Sequence, residues 1–109
     1  MDARERRLGE NEVLYREVNE QVRDLQHEFG LDDGYVEFVC ECAQLQCNDR
    51  IRLTTAEYEH VRSDGRLFAL KHGHETPDVE TVVEENDRFV VVQKHEGDPA
   101  ELAKAEDPR

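Results

Sequence analysis

Three thiols and two imidazoles carry the most specific chemistry in this chain. Cys40-Glu41-Cys42 is a C-x-C pair, Cys47 follows after four intervening residues, and His72 and His74 flank Gly73. The run Tyr-Val-Glu-Phe-Val-Cys at 35–40 is rich in β-formers, and in a strand residues i and i+2 point to the same side. The spacing therefore aims the sulfurs of Cys40 and Cys42 at one point, while Cys47 sits on a loop able to turn back to them. Three thiolates make three corners of a tetrahedron, the geometry Zn²⁺ adopts with Zn–S bonds near ~2.3 Å. The fourth corner needs a donor from elsewhere. His74 is the expected one and His72 the alternative, both on a loop marked by Gly73 and Pro77.

Other readings of the cysteines fit less well. As a small buried hydrophobe Cys40 is plausible, since it shares a strand face with Val36 and Phe38, but Cys47 lies in the polar Gln-Leu-Gln-Cys-Asn-Asp. An odd number of cysteines leaves one thiol over from any disulfide framework. A Cys₃His iron–sulfur site needs a histidine at short spacing, and none follows Cys47 within twelve residues. Structural zinc contributes an apparent ~10–16 kcal/mol in small peptides. A whole domain is stable by only ~5–15 kcal/mol, so a structural role is expected over a catalytic one. A hydrolytic site would need an open coordination position and a base, for which Glu41 and Glu75 are the candidates. Oxidation of the thiolates with release of the metal is the other chemistry the set allows, a zinc–thiolate redox switch.

The rest of the composition narrows the setting. The chain has 109 residues, 27 acidic against 14 basic, and a net charge of −13. That length predicts a single domain over 1–109. No apolar run approaches ~18 residues, so no transmembrane helix is expected. Met-Asp-Ala-Arg-Glu-Arg-Arg at the N-terminus lacks the apolar core of a secretory signal, which points to the cytoplasm and reduced thiols. The negative charge repels nucleic acid and anionic membrane, so the expected partner is another protein. A variant of that reading is an acidic mimic that covers a basic nucleic-acid-binding protein. There is no G-x-S-x-G, P-loop or G-x-G-x-x-G, and no enzyme is expected.

The elements that must position the site read as α+β. A leading helix over about 10–29 carries Leu14, Val18, Val22, Leu25 and Phe29 as one apolar stripe. Gly9 weakens its first turns and Gly30 suits its C-terminal cap. The stripe is expected to cover the domain's own sheet, or else to dock on another protein or a second copy. The metal-binding core spans about 34–96: Asp32-Asp33-Gly34 as a turn, a hairpin over 35–53, and a short inserted helix near 55–63. Thr54 and Glu57 open that helix as a capping box, and Ala56, Tyr58 and Val61 are its candidate buried residues. Residues 67–70 form a further strand, and 80–84 with 88–94 a second hairpin. A short C-terminal helix over about 98–107 starts with Asp98 as N-cap and Pro99 at the first position. The overall expectation is a long N-terminal helix, a small antiparallel sheet built of hairpins, and two short helices.

The chain also resembles small acidic bacterial proteins of unknown function. The likeness runs through Asn11-Glu12-x-Leu14-Tyr15-Arg16-Glu17-Val18-Asn19-Glu20 and Glu37-Phe38-x-Cys40-x-Cys42-x4-Cys47. It continues with Leu53-Thr54-x-x-Glu57-Tyr58-x-x-Val61-Arg62, Gly73-His74-Glu75 and Val91-Val92-x-Lys94, covering nearly the whole length. The resemblance implies no established activity. It favours His74 over His72, because the loop of those proteins looks like Pro-Gly-His, whereas here Lys71-His72 precede Gly73.

Overall fold

The computed structural model describes residues 3–30, 34–42, 44 and 46–109. Asp32 and Asp33 of the expected turn, and Ala43 of the expected Cys loop, lie outside the described residues. The architecture is α+β. Helix α1 (Ala3–Glu28) leads into strands β1 (Tyr35–Val39) and β2 (Arg50–Thr54), then helix α2 (Thr55–Arg62). Strands β3 (Leu67–Leu70), β4 (Glu80–Glu85) and β5 (Val90–Lys94) follow, and helix α3 (Asp98–Ala105) closes the chain.

The strands divide between two antiparallel sheets. One is the β1–β2 hairpin, with Val36 opposite Leu53 and Phe38 opposite Ile51. The other has three strands in the order β3-β5-β4. All four residues of β3 and four of the five of β5 are buried, whereas β4 at the edge is mostly exposed. Leu67, Ala69, Phe89 and Val91 join Val36, Phe38, Ile51, Leu53, Tyr58 and Val61 in one core cluster. Phe68, Leu70, Val90 and Val92 form a second with Cys40, Cys42 and Ala103. Phe38 stacks flat on Tyr58 with ring centroids 4.4 Å apart, tying β1 to α2. The expected common face of Val36, Phe38, Cys40 and Cys42 is thus split: the first two enter one core and the two cysteines the other.

The capping box of α2 forms as the sequence predicts. The Glu57 amide donates to Thr54 Oγ1 and the Thr54 amide to Glu57 Oε1. Tyr58 and Val61 are buried, whereas Ala56 is exposed. Arg88 then clamps the Glu57 carboxylate at both oxygens, 2.9 and 2.7 Å. That clamp holds the Glu57 carboxyl down to about 2 from an ordinary 4.5. A value depressed by folding adds stability above the unfolded value and loses it as pH falls. Glu57→Gln is therefore expected to cost stability at pH 6, and the difference from wild type should shrink between pH 4.5 and about 2, read as urea midpoints.

Two helix boundaries shift. Helix α1 begins at Ala3 and runs through Gly9 rather than starting near residue 10. A Cβ at Gly9 would lie 2.6 Å from Leu102 Cδ2, so the glycine lets α3 pack closely against α1. Helix α3 is capped by Gly97, with Asp98 inside the helix rather than at its N-cap.

The largest correction concerns the face that α1 buries. The apolar stripe does not cover the sheet: Leu14, Val18, Leu25 and Phe29 are exposed, and Val22 alone packs partly on the core. The buried face carries Glu12, Val13, Arg16 and Asn19, with Glu12 1% and Arg16 and Asn19 0% exposed. These polar residues recur at the same helical spacing as an apolar stripe would. Each meets a partner that complements it, an ammonium for the carboxylate and oxygen acceptors for the guanidinium and the amide. Lys94 Nζ pairs with Glu12 and, at 3.0 Å, with Glu80 Oε1. Arg16 donates to the carbonyls of Gly65 and Ala103 at 2.7 and 2.8 Å, and its guanidinium lies 4.7 Å over the Phe68 ring. Arg62 pairs with Glu41 at 3.0 Å. Among the described residues the buried charged side chains are thus Glu12, Glu41 and Glu80 against Arg16, Arg62 and Lys94, a layer with no net charge.

Candidate metal centre

The cysteine pair sits where the chain crosses from one sheet to the other. The Cys40 amide still bonds Asp49 of the hairpin at 3.1 Å, while the next amide, Glu41, bonds Ala69 of β3 at 2.9 Å. Cys40 and Cys42 flank this step, and both are buried. Cys47 returns on the loop before β2. From the other sheet comes the loop after β3, where His74 N–H bonds the Lys71 carbonyl at 3.1 Å and Gly73 takes φ +84°, a conformation that favours glycine. That turn brings His74 to the cysteines.

The four donor atoms of Cys40, Cys42, Cys47 and His74 all lie within 4.8 Å of one another. His74 Nδ1 is 3.5 Å from both Cys40 Sγ and Cys47 Sγ. A tetrahedral metal with bonds near ~2.3 Å to sulfur and ~2.1 Å to nitrogen sets such S···N pairs about 3.6 Å apart. The residues therefore fit a thiophilic divalent ion. His72 does not join them. Its Nε2 donates to the Asn86 carbonyl at 2.5 Å, and its Nδ1 lies 3.8 Å from Glu85.

Groups behind the donors hold them in place. His74 turns its other nitrogen, Nε2, toward Asp49 Oδ2 at 3.6 Å. A carboxylate behind a ligating imidazole fixes the tautomer and ring orientation. The Lys71 amide donates to Cys40 Sγ at 3.2 Å, and Lys71 Nζ lies 3.5 Å from Asp49. Glu41 serves as an anchor and is not available as a base. Its carboxylate is fully buried and accepts from Arg62 (3.0 Å), the Ala69 amide (2.9 Å) and Asn19 Nδ2 (2.7 Å). Asn19 also brackets Val39, donating to its carbonyl at 2.9 Å and accepting from its amide at 2.8 Å. Helix α1 thus grips the strand immediately before the cysteines.

The thiols divide their protons unequally. The hydrogen bond with the Cys40 thiol holds Cys42 down to about 5. The same bond, with burial, pushes Cys40 up, and burial raises Cys47. Mutual hydrogen bonding therefore supports a single thiolate, whereas a divalent cation replaces the bridging protons and lets all three ionise. Cys47 and His74 are half-buried and leave one side of the cluster open to solvent.

Sequence reasoning named the four converging residues but missed Asp49, Asn19 and Arg62. Asp49 stands only two residues from Cys47, which is a weak signal in so acidic a chain. Asn19 and Arg62 stood only among the residues of the resemblance, which assigns them no role, since their roles arise from tertiary packing. Among the described residues no helix is long and apolar enough to cross a membrane. A scan of family models finds no match to this chain, and neither the curated proteins nor the solved structures give one.

Proposed function

We propose that the chain binds one Zn²⁺ through Cys40, Cys42, Cys47 and His74, and that the ion is a structural clamp in a small protein-interaction or regulatory module of the cytoplasm. The observation that carries this reading is the convergence of four donors, within 4.8 Å, from loops that belong to two different sheets. When bound, the ion supplies a cross-link between the hairpin and the three-stranded sheet. Four protein donors fill a tetrahedral shell, and the carboxylate between the two cysteines, Glu41, is fully engaged. Both facts favour a closed structural site over hydrolysis.

The test is the metal content of protein purified without a metal-affinity tag, for the native chain and for Cys47→Ser, His74→Ala and His72→Ala. One zinc per chain is expected in the native protein and in His72→Ala, with loss or weakening in the other two. Reduced, folded protein that takes up no metal would overturn the reading. Asp49→Asn, which keeps every ligand, is expected to weaken zinc affinity roughly 10- to 100-fold in a competition titration with a chromophoric chelator. An unchanged affinity would show that Asp49 does not orient His74.

A second reading draws on the partial exposure of Cys47. Peroxide would oxidise two thiolates to one disulfide, the two electrons reducing peroxide to water while the zinc leaves. Stoichiometric zinc release by mild peroxide, reversed by thiol reductant and added zinc, would favour this switch; a site inert to peroxide would exclude it.

A further inference from the structure

The outward face of α1 has a spacing with a consequence for assembly. Leu14, Val18, Leu25 and Phe29 are 50%, 38%, 52% and 70% exposed, on the side of the helix opposite Glu12, Arg16 and Asn19. Their steps are four, seven and four residues (18 − 14, 25 − 18, 29 − 25), so the pattern reads the same in both directions. A second α1 laid antiparallel about a two-fold axis between Gln21 and Val22 sets Leu14 opposite Phe29 and Val18 opposite Leu25, each pair occurring twice. Such self-complementarity is what an isologous interface requires. We propose that two copies of this chain associate through this stripe, α1 against α1, antiparallel. The proposal deepens the interaction reading above and rests on it, but it does not depend on the metal.

Area and charge set the strength. The four side chains present an apolar patch on the order of 400 Å² per copy, as large as the main patch of many monomers. Pairing two such patches buries on the order of 800 Å², short of the ~1,200 Å² of stable complexes, so the dimer is weak and concentration-dependent. Glu17, Asp24 and Glu28 line one flank of the stripe, all exposed. Across the two-fold that flank faces its own copy, like charge to like charge. Salt screens this repulsion, so the self-dimer tightens as salt rises. A foreign helix with a basic flank would show the opposite dependence.

The experiment is sedimentation equilibrium of the full-length, zinc-supplemented chain from about 5 µM to about 1 mM, at low and high salt, with zinc content measured on the same samples. Wild type is expected to be mainly dimer at the top of this range in high salt and monomer at the bottom. Val18→Glu and Leu25→Lys alone should each remain monomeric with an unchanged thermal midpoint, because both positions are exposed. Combining the two places a carboxylate opposite an ammonium across the axis and should restore the dimer. A wild type that stays monomeric throughout, a dimer indifferent to Leu25→Lys, a dimer weakened by salt, or a double variant that remains monomeric would each overturn the proposal. A monomer carrying one zinc per chain would refute the pairing and leave the metal reading standing. A dimer without zinc would do the reverse.

Discussion

Lys94→Met is expected to lower stability by about 3–5 kcal/mol at pH 7, the usual cost of removing one partner from a buried ion pair. Lys94 is 3% exposed and its ammonium sits between the carboxylates of Glu12 and Glu80. Without it, two buried carboxylates face each other with no cation between them. Burial already raises the Glu12 carboxyl well above its ordinary value, with the charge of Glu80 adding to the shift. A carboxyl raised by folding costs nothing below its unfolded value of 4.5, and the cost of ionising it grows as pH climbs toward the folded value. Lys94 offsets that cost in the wild type. The deficit of the variant should therefore be largest at pH 7 and smaller at pH 5, and adding Glu12→Gln should recover part of it. Urea midpoints at the two pH values measure all of this. A cost below about 1 kcal/mol, or one that grows on acidification, would contradict this account of the layer.

Metal removal should have an effect of comparable size. With free zinc at 100 times the dissociation constant, binding to the folded state alone adds about 2.7 kcal/mol, and at 1,000 times about 4.1 kcal/mol. Cys42→Ser should abolish this gain, since Cys42 is fully buried and its sulfur cannot be replaced by solvent. The loss should also be local. The β3-β5-β4 sheet keeps its own hydrogen bonds, and the β1–β2 hairpin packs on it through Val36, Phe38, Ile51 and Leu53, so the hydrophobic contact survives without the metal and the donor segments do not. Chelation is expected to speed amide exchange in the segments at 40–49 and 71–76 well before the three-stranded sheet. Uniform loss of protection across both sheets would argue against a clamp.

Local signals carried much of this structure. The Thr54–Glu57 box, the alternation of Arg50-Ile51-Arg52-Leu53 and the Gly73 turn each reflect one or two nearby residues, and each forms as expected. The cysteine spacing pointed to the right residues, although Cys40 and Cys42 lie just past the end of β1, where the chain crosses to the second sheet. The docking of α1 was not legible. Apolar periodicity identifies a buried face only when burial is hydrophobic, and here Glu12, Arg16 and Asn19 hold the inner positions. Their partners Lys94, Glu80, Arg62 and Glu41 lie far along the chain, so no window of sequence contains both halves of a pair. Glu41 misled for a related reason: a carboxylate between two cysteines looks like a base until Arg62, Asn19 and Ala69 are seen to occupy it.

The neutral charge layer under α1 has a further consequence, for the path by which the helix finds its seat. An apolar face tolerates sliding, because one aliphatic contact substitutes for another at little cost. This face does not. Moving α1 along its axis by one turn, about 5.4 Å, would carry Glu12 toward the place of Arg16, and Lys94 would lose one of its two acids. Every misregistered docking strands a charge away from water, so wrong encounters are released quickly and a single alignment is trapped. The same alignment delivers Asn19 to Val39 and Glu41, and so the arrival of the helix completes the ground on which the thiols stand.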